Sequence, residues 1–151
     1  MQALLQRVSE ASVTVDHALV GQIDQGLLVL LCAEHGDTEI SSARMLEKIL
    51  KLRIFADENG KMNRSIQDIR GALLIVSQFT LAADTSKGTR PSFGRAATPE
   101  QARQFYDSFV EQARQTGLHI QTGIFAADMK VALVNDGPVT IPLSIAPTGN
   151  I

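Results

Sequence analysis

Gly26 opens a run of seven residues without a charge, Leu27 to Ala33. A strand with one face in water alternates polar and apolar side chains. A continuous apolar run of this length instead reads as a strand buried on both faces, near the centre of a sheet with material packed on each side. A second run, Leu73 to Val76, behaves alike but ends differently. It leads into Ser77-Gln78, then Phe79, then Thr80. Buried strands normally close on Gly, Asn or Pro. On pattern alone, two readings of this end stand level: a core strand fraying into a loop, or a ligand-facing floor with donors and acceptors on a rigid element.

Around these runs the remaining elements can be placed. Residues 2–8 and 12–16 read as strands, with Asp16-His17 as a hairpin turn and 18–23 as the return strand. Asp37 or Thr38 caps a helix whose apolar positions are Ile40, Ala43, Leu46 and Leu50. Arg53 to Ala56 reads as a short strand, 57–60 as a turn, and 65–70 as a short helix or an irregular connection. The strand from Ala72 is expected to reach about Phe79. Thr98-Pro99 starts a second helix, with Ala102, Phe105, Tyr106, Phe109 and Ala113 on its inner face and Gly117 as its stop. Residues 118–124 and 128–134 read as strands, 135–138 as a turn and 139–144 as the last strand. The tail, 145–151, reads as loose. The order predicts one α/β domain over 1–151, with mixed/antiparallel β-sheet layers and two main helices packed on one side.

The chain has 151 residues, enough for one domain that buries about 70% of its unfolded surface. Its net charge of −2 and pI near 5.9 give no overall pull toward nucleic acid, so any RNA contact needs a local basic patch. One such patch is the aperiodic stretch 82–97, where Lys87, Arg90 and Arg95 face a single opposing charge, Asp84, and flank Phe93. An RNA-end clamp and a merely solvated loop explain it equally well. The single cysteine, Cys32, sits inside the apolar run and reads as a core thiol. The N-terminal residues lack the charged-then-apolar order of a signal peptide, and the longest apolar run is too short for a bilayer; both point to a cytoplasmic protein.

The usual catalytic constellations are missing. His17, His35 and His119 have no metal-ligand spacing, and there is no nucleophile elbow or phosphate loop, so neither metal nor cofactor is expected. Ser77 and Thr80 have no base near them in sequence. A second unusual stretch is Val134 to Thr140, V-N-D-G-P-V-T. It fits an ordinary hairpin turn; a cis Gly137–Pro138 bond, which costs only about 0.5–1 kcal/mol over trans, would instead redirect the flanking carbonyls into a wall of acceptors.

Together, S-Q-F-T-L (77–81) and N-D-G-P-V-T (135–140) resemble the two signature motifs of the D-aminoacyl-tRNA deacylases, the D-Tyr-tRNA deacylase family. The likeness continues through M-x-A-L-L-Q-R-V, G-L-L-V-L, K-x-x-x-L-R-I-F, D-x-x-G-K-M-N-R-S and K-G-x-R-P-S-F. It implies a three-layer fold and a cytoplasmic homodimer that hydrolyses the ester of a D-amino acid on tRNA, or of glycine mischarged onto tRNA(Ala), and rejects L-esters. In this reading Ser77, Gln78, Phe79 and Thr80 surround the aminoacyl-adenosine. Gly137-Pro138 enters from the partner subunit as the chirality filter, with Arg7 and Asn135 in support. Thr80 is either a nucleophile or a positioning group. In the second case the substrate's 2′-hydroxyl assists water and backbone N–H groups near Phe79 or Thr80 hold the oxyanion. Lys87, Arg90 and Arg95 are candidate phosphate contacts from their loop alone.

Overall fold

A computed structural model of the chain describes residues 1–147. In chain order the elements are β1 (Gln2–Val15), β2 (Ala18–Ile23), β3 (Gly26–Cys32), α1 (Glu39–Lys51), β4 (Phe55–Ala56), β5 (Met62–Arg64), β6 (Ala72–Ser77), a 3-10 turn (Phe79–Ala82), α2 (Pro99–Arg114), β7 (Ile120–Thr122) and β8 (Lys130–Ser144).

β1 is one strand of 14 residues, where the pattern suggested two. Exposed Ser9 and Glu10 interrupt the apolar alternation. They mark a shift of register against β8, between Val8 and Glu10, and not a strand end. Asp16 and His17 turn the chain with φ of +49° and +63°, the paired left-handed geometry of a two-residue hairpin. β2 and β3 then follow β1 back in sequence, from Val15↔Ala18 to Gln2↔Cys32. The opposite edge of β1 takes β8, so β1 is paired on both sides. β3 pairs parallel with β6, and β6 parallel with β7, giving the order β2-β1-β3-β6-β7 with β8 against β1. The mixed sheet is as expected.

The apolar run is buried on both faces, as its composition requires. Leu27, Val29 and Leu31 join Leu73, Ile75, Met45, Ile49, Tyr106 and Phe109 in a core beneath the two helices. Leu28 turns the other way, to Val8, Val13, Ile23, Leu74 and Val76. That second core is closed because the sheet curls until β2 crosses β7. A Cβ on Gly21 would lie 2.5 Å from Thr122 O, so only glycine allows this approach. Helices, central strands and the folded-over β2 with the outer parts of β1 and β8 make three layers. No helix among the described residues is long and apolar enough to cross a membrane.

Thr38 caps α1 in a capping box with Ser41; the expected Leu46 and Leu50 do face the core, but the rest of the buried face differs from the one expected. Ser41, Ser42, Met45, Leu46 and Ile49 face inward, while Ile40 is exposed and Ala43 points to solvent. Ser41 and Ser42 are small enough to let the helix approach the core closely, and a pattern of large apolar residues does not mark them. α2 follows the pattern: Thr98 Oγ1 accepts the Gln101 N–H at 3.3 Å, Pro99 is at the helix start, and Tyr106, Phe109, Val110 and Ala113 are buried. The short strand expected at 53–56 narrows to Phe55–Ala56 and pairs with β5, which the pattern did not suggest. Residues 66–70 form turns, held by reciprocal Ser65 and Asp68 side-chain bonds to each other's N–H groups.

The tail is less loose than expected at its start. The Ile145 N–H donates to Met1 O at 2.9 Å and its side chain packs on the core; residues 148–151 of the expected loose tail lie outside the described residues. Beside it the Met1 ammonium is buried, 2.7 Å from Asp37 Oδ1 and 2.9 Å from Ile145 O. This pair ties the ends of β1 and β8 to the start of α1.

Candidate active site

The strand expected to reach Phe79 stops at Ser77. The Gln78 N–H still donates to Leu31 O at 2.8 Å, after which the chain winds into the 3-10 turn, closed by Leu81 N–H to Gln78 O and Ala83 N–H to Thr80 O. Among the described residues, the Phe79 and Thr80 amides donate to no acceptor within the protein. β3 and β6 are parallel, so this turn sits off the carboxyl ends of neighbouring parallel strands, where open α/β sheets commonly bind ligands.

Ser77, Gln78 and Phe79 form the floor of a cavity of about 690 Å³. One wall runs from Phe93 and Ala96 to Pro99 and Ala102 at the start of α2; the other is the loop Phe125–Met129 with Val131. Phe79 is 55% exposed and its ring meets Phe93 edge-on at 5.0 Å, so an aromatic surface faces into an accessible space. Phe125 is backed by Tyr106 at 6.0 Å and by the Arg103 guanidinium at 5.7 Å from its ring centre. The Tyr106 hydroxyl donates to Ile75 O at 2.7 Å, and burial pushes its pKa up to about 12, so it stays a neutral structural donor.

Thr80 is exposed and lies outside the cavity lining. Its Oγ1 accepts a hydrogen bond from the Gln78 side-chain amide, a group that cannot remove a proton. Cys32 lies under the turn, its Sγ 3.6 Å from Phe79 O; burial, then the nearby Glu34 charge, raises its pKa to about 11, so it is a thiol and not a nucleophile. No group of three His, Cys, Asp or Glu side chains among the described residues is placed to hold a metal. Of the histidines, His35 reaches the cavity, carried there by its N–H bond to Arg95 O at 3.0 Å.

The N-D-G-P stretch is not a hairpin turn. Residues 130–144 are one strand that stays on β1 at both ends: Asn135 opposes Val8 and Thr140 opposes Gln6. Asp136 to Val139 therefore bulge out opposite Arg7 alone. The Gly137–Pro138 bond is cis, and both residues are exposed. Gly137 has φ +140°, and a Cβ there would lie 2.8 Å from the Val139 side chain and 3.0 Å from Arg7 Nη2. Arg7 Nε donates to Asp136 O at 2.9 Å and Nη1 to Ile54 O at 2.7 Å. Asn135 Nδ2 bonds both Arg7 O and Val139 O at 3.0 Å, stitching the base of the bulge. The four candidate residues Arg7, Asn135, Gly137 and Pro138 thus form one unit. None of them lines the cavity of their own chain.

The basic stretch is partly ordered by backbone pairing of Asp84 with Ser92, 2.7 and 2.9 Å, which leaves Lys87 and Arg90 on the intervening exposed segment. Arg95 is exposed too, and lowers the Asp84 pKa after two hydrogen bonds from Ser86. None of the three cations lines the cavity, although Phe93 from the same stretch does.

A family model described as D-Tyr-tRNA(Tyr) deacylase matches residues 4–144. The chain belongs to this family. A D-aminoacyl-tRNA deacylase of Paracidovorax citrulli is 62% identical to it, covering 100% of this chain and 97% of that one. A solved structure, "c-Myc DNA Unwinding Element Binding Protein", is 45% identical with a TM-score of 0.92, covering 97% and 99% of the two chains. Another, of "a probable eukaryotic D-amino acid tRNA deacylase", is 17% identical with a TM-score of 0.82 over 95% and 98%, and shows the shared fold. As a member of this family the chain is a hydrolase of the D-aminoacyl-tRNA deacylase type, with a tRNA as substrate.

For a deacylase of this family, the sequence motifs located the floor of the cavity, the bulge and, through Phe93, part of one wall, but not the opposite wall. Phe125, Ala126, Asp128, Met129 and His35 were not singled out. Ala126 at φ +63° is the clearest local sign of a shaped loop there, and a non-glycine residue gives no hint of it in sequence.

Proposed function

We propose that this chain is a chirality-selective editing enzyme, hydrolysing D-aminoacyl-tRNA and glycine mischarged onto tRNA(Ala) while sparing L-aminoacyl-tRNA. It works as a cytoplasmic homodimer in which each cavity is completed by the Gly137-Pro138 bulge of the other subunit. The observation that carries this reading is a cavity floor of neutral groups, Ser77, Gln78 and Phe79, with an unbonded backbone amide at Phe79 and another beside it at Thr80; His35 and Asp128 belong to the surrounding lining and not to this floor. Such a floor suits holding an ester and its oxyanion better than generating a protein nucleophile. Water, activated by the 2′-hydroxyl of the terminal adenosine, adds to the ester carbonyl. Charge on the former carbonyl oxygen is held by the Phe79 and Thr80 amides. Collapse breaks the bond to the ribose 3′-oxygen, which takes up a proton and leaves as free tRNA. The exposed, side-chain-braced bulge is suited to stand against the Cα substituent and leave no room for an L side chain.

Side-by-side deacylation of D-, L- and glycyl-tRNA tests the reading. The D and glycyl esters are expected to disappear at enzyme concentrations that leave the L ester intact; rapid loss of the L ester would sink the filter. A second reading, nucleic-acid binding without turnover, is favoured by the name of one similar structure, a DNA unwinding element binding protein. It requires binding of a tRNA end with no hydrolysis of any ester. In the leading reading Lys87 and Arg90 contact phosphates. Replacing both with Ala is then expected to weaken tRNA binding and flatten its salt dependence by about two phosphate contacts, measured as the slope of log Kd against log salt. An unchanged slope removes that segment from the RNA path.

A further inference from the structure

The Met1 nitrogen is caged by acceptors: Asp37 Oδ1 at 2.7 Å, Ile145 O at 2.9 Å and Glu34 Oε2 at 3.4 Å. An ammonium carries three N–H donors, and each finds an acceptor here. The side chains of Met1 and Asp37 are both fully buried, so water does not screen this charge pair. The cage is linked to the cavity wall by short steps. Asp37 Oδ2 accepts the Glu34 N–H at 2.7 Å, and Gln2 Nε2 donates to Glu34 Oε1 at 2.8 Å, which fastens the turn 34–37 to the start of β1. Glu34 in turn bridges to Ala96. The His35 N–H donates to Arg95 O and the Ala97 N–H to Ala33 O, each at 3.0 Å. His35, Ala96 and Ala97 line the cavity, and Thr98-Pro99 just after them start α2.

An acyl group on the Met1 nitrogen, whether formyl, acetyl or the carbonyl of a preceding residue, leaves an amide with one N–H and no charge. Asp37 is then a buried carboxylate without its counter-charge, and an unpaired buried charge is costly. Relief comes when the turn 34–37 swings out to water, and its backbone pairing with 95–97 goes with it. We infer that the Met1 nitrogen is a control point for the cavity wall: as an ammonium it fixes the wall, and acylated it releases it. Because this nitrogen is buried, its state is decided before the chain folds. Where translation starts on formylmethionine, an amide hydrolase has to act on the new chain first. Water cleaves the formyl C–N bond, formate leaves, and the freed amine takes up a proton to become the ammonium. The inference holds whichever ester the cavity takes.

The test compares three forms of the full chain. One has a free Met1 amine, one carries N-formyl-Met1 from bacteria with their deformylase inhibited, and one has a glycine added before Met1. Intact mass verifies each. Both acylated forms are expected to melt about 10 °C below the free-amine form. In hydrogen exchange, their His35 and Ala97 amides should exchange about tenfold faster or more, while Val29, paired on both sides within β3, keeps its protection. Asp37→Asn with a free amine should reproduce this local pattern, and it carries the test if an acylated chain fails to fold. Acylated forms that melt together with the free-amine form would overturn the inference. A lower Tm with His35 and Ala97 still protected would also overturn it, because the damage then stops at the strand ends. Unchanged protection in Asp37→Asn has the same consequence.

Discussion

A tRNA ending in 2′-deoxyadenosine is expected to lose deacylation by about 10²–10⁴-fold, the range supplied by a positioned acid–base group. Thr80→Ala, in contrast, should stay within about tenfold of wild type, because the Thr80 hydroxyl is bonded to an amide and not to a base. The two measurements belong together. A covalent esterase using Thr80 gives the reverse order: large loss in the alanine variant, and an acyl-Thr80 species trapped by rapid acid quench. Single-turnover rates are the right observable, since they separate hydrolysis from tRNA release. An alanine variant as inactive as the deoxy substrate would overturn substrate assistance. The interpretation is helped by exposure of Thr80, since its removal leaves no buried cavity to disturb the floor.

Gly26→Ala is the substitution expected to cost most stability. A Cβ at Gly26 would sit 1.9 Å from Ala72 O and 2.8 Å from both Ala72 C and Ala72 N, all backbone atoms. Those atoms cannot swing aside, because Gly26 is paired with Val8 on one side and Ala72 on the other. Adding one methyl group therefore forces β3 and β6 apart at the point where their parallel pairing begins. The expected loss is about 3 kcal/mol, the upper end for overpacking. For a chain of this size that corresponds to a fall of roughly 6–12 °C in Tm. Calorimetry or denaturant unfolding measures it, and a change within about 0.5 kcal/mol, the range of an ordinary surface substitution, would contradict the geometry.

Much of this architecture was legible because its signals are local. The uninterrupted run after Gly26 demanded burial on two faces and received it from the two separate cores. Thr38 and Thr98-Pro99 marked helix starts through backbone N–H groups only a few residues away. Asp16-His17 announced its hairpin by spacing alone. What failed depended on contacts distant in sequence. Ser9 and Glu10 look like a strand break, yet ladders on both edges carry β1 through them. Ile40 and Ala43 fit an inner helix face by spacing, yet packing turns Ser41 and Ser42 inward in their place. Asn135 to Pro138 has the composition of a turn, and the same residues serve a bulge when flanking segments are held on one partner strand. In the site, Ser77 to Thr80 and Gly137-Pro138 could be singled out because each departs from what a strand or turn needs. Phe93 stands in a stretch marked by its charges, whereas the wall from Phe125 to Met129 is an ordinary loop until the fold brings it to the end of β6.

β1 acts as a gauge for the bulge. β8 leaves its register at Asn135 opposite Val8 and regains it at Thr140 opposite Gln6, so four residues of one strand span a single position of the other. How far Gly137 and Pro138 project is therefore set by a count internal to that one interval. Lengthening or shortening the loops that form the cavity leaves this reach untouched, and a one-residue deletion between 136 and 139 alters it at once. The wall and the projecting finger can thus diverge separately among related chains, provided that interval keeps its length.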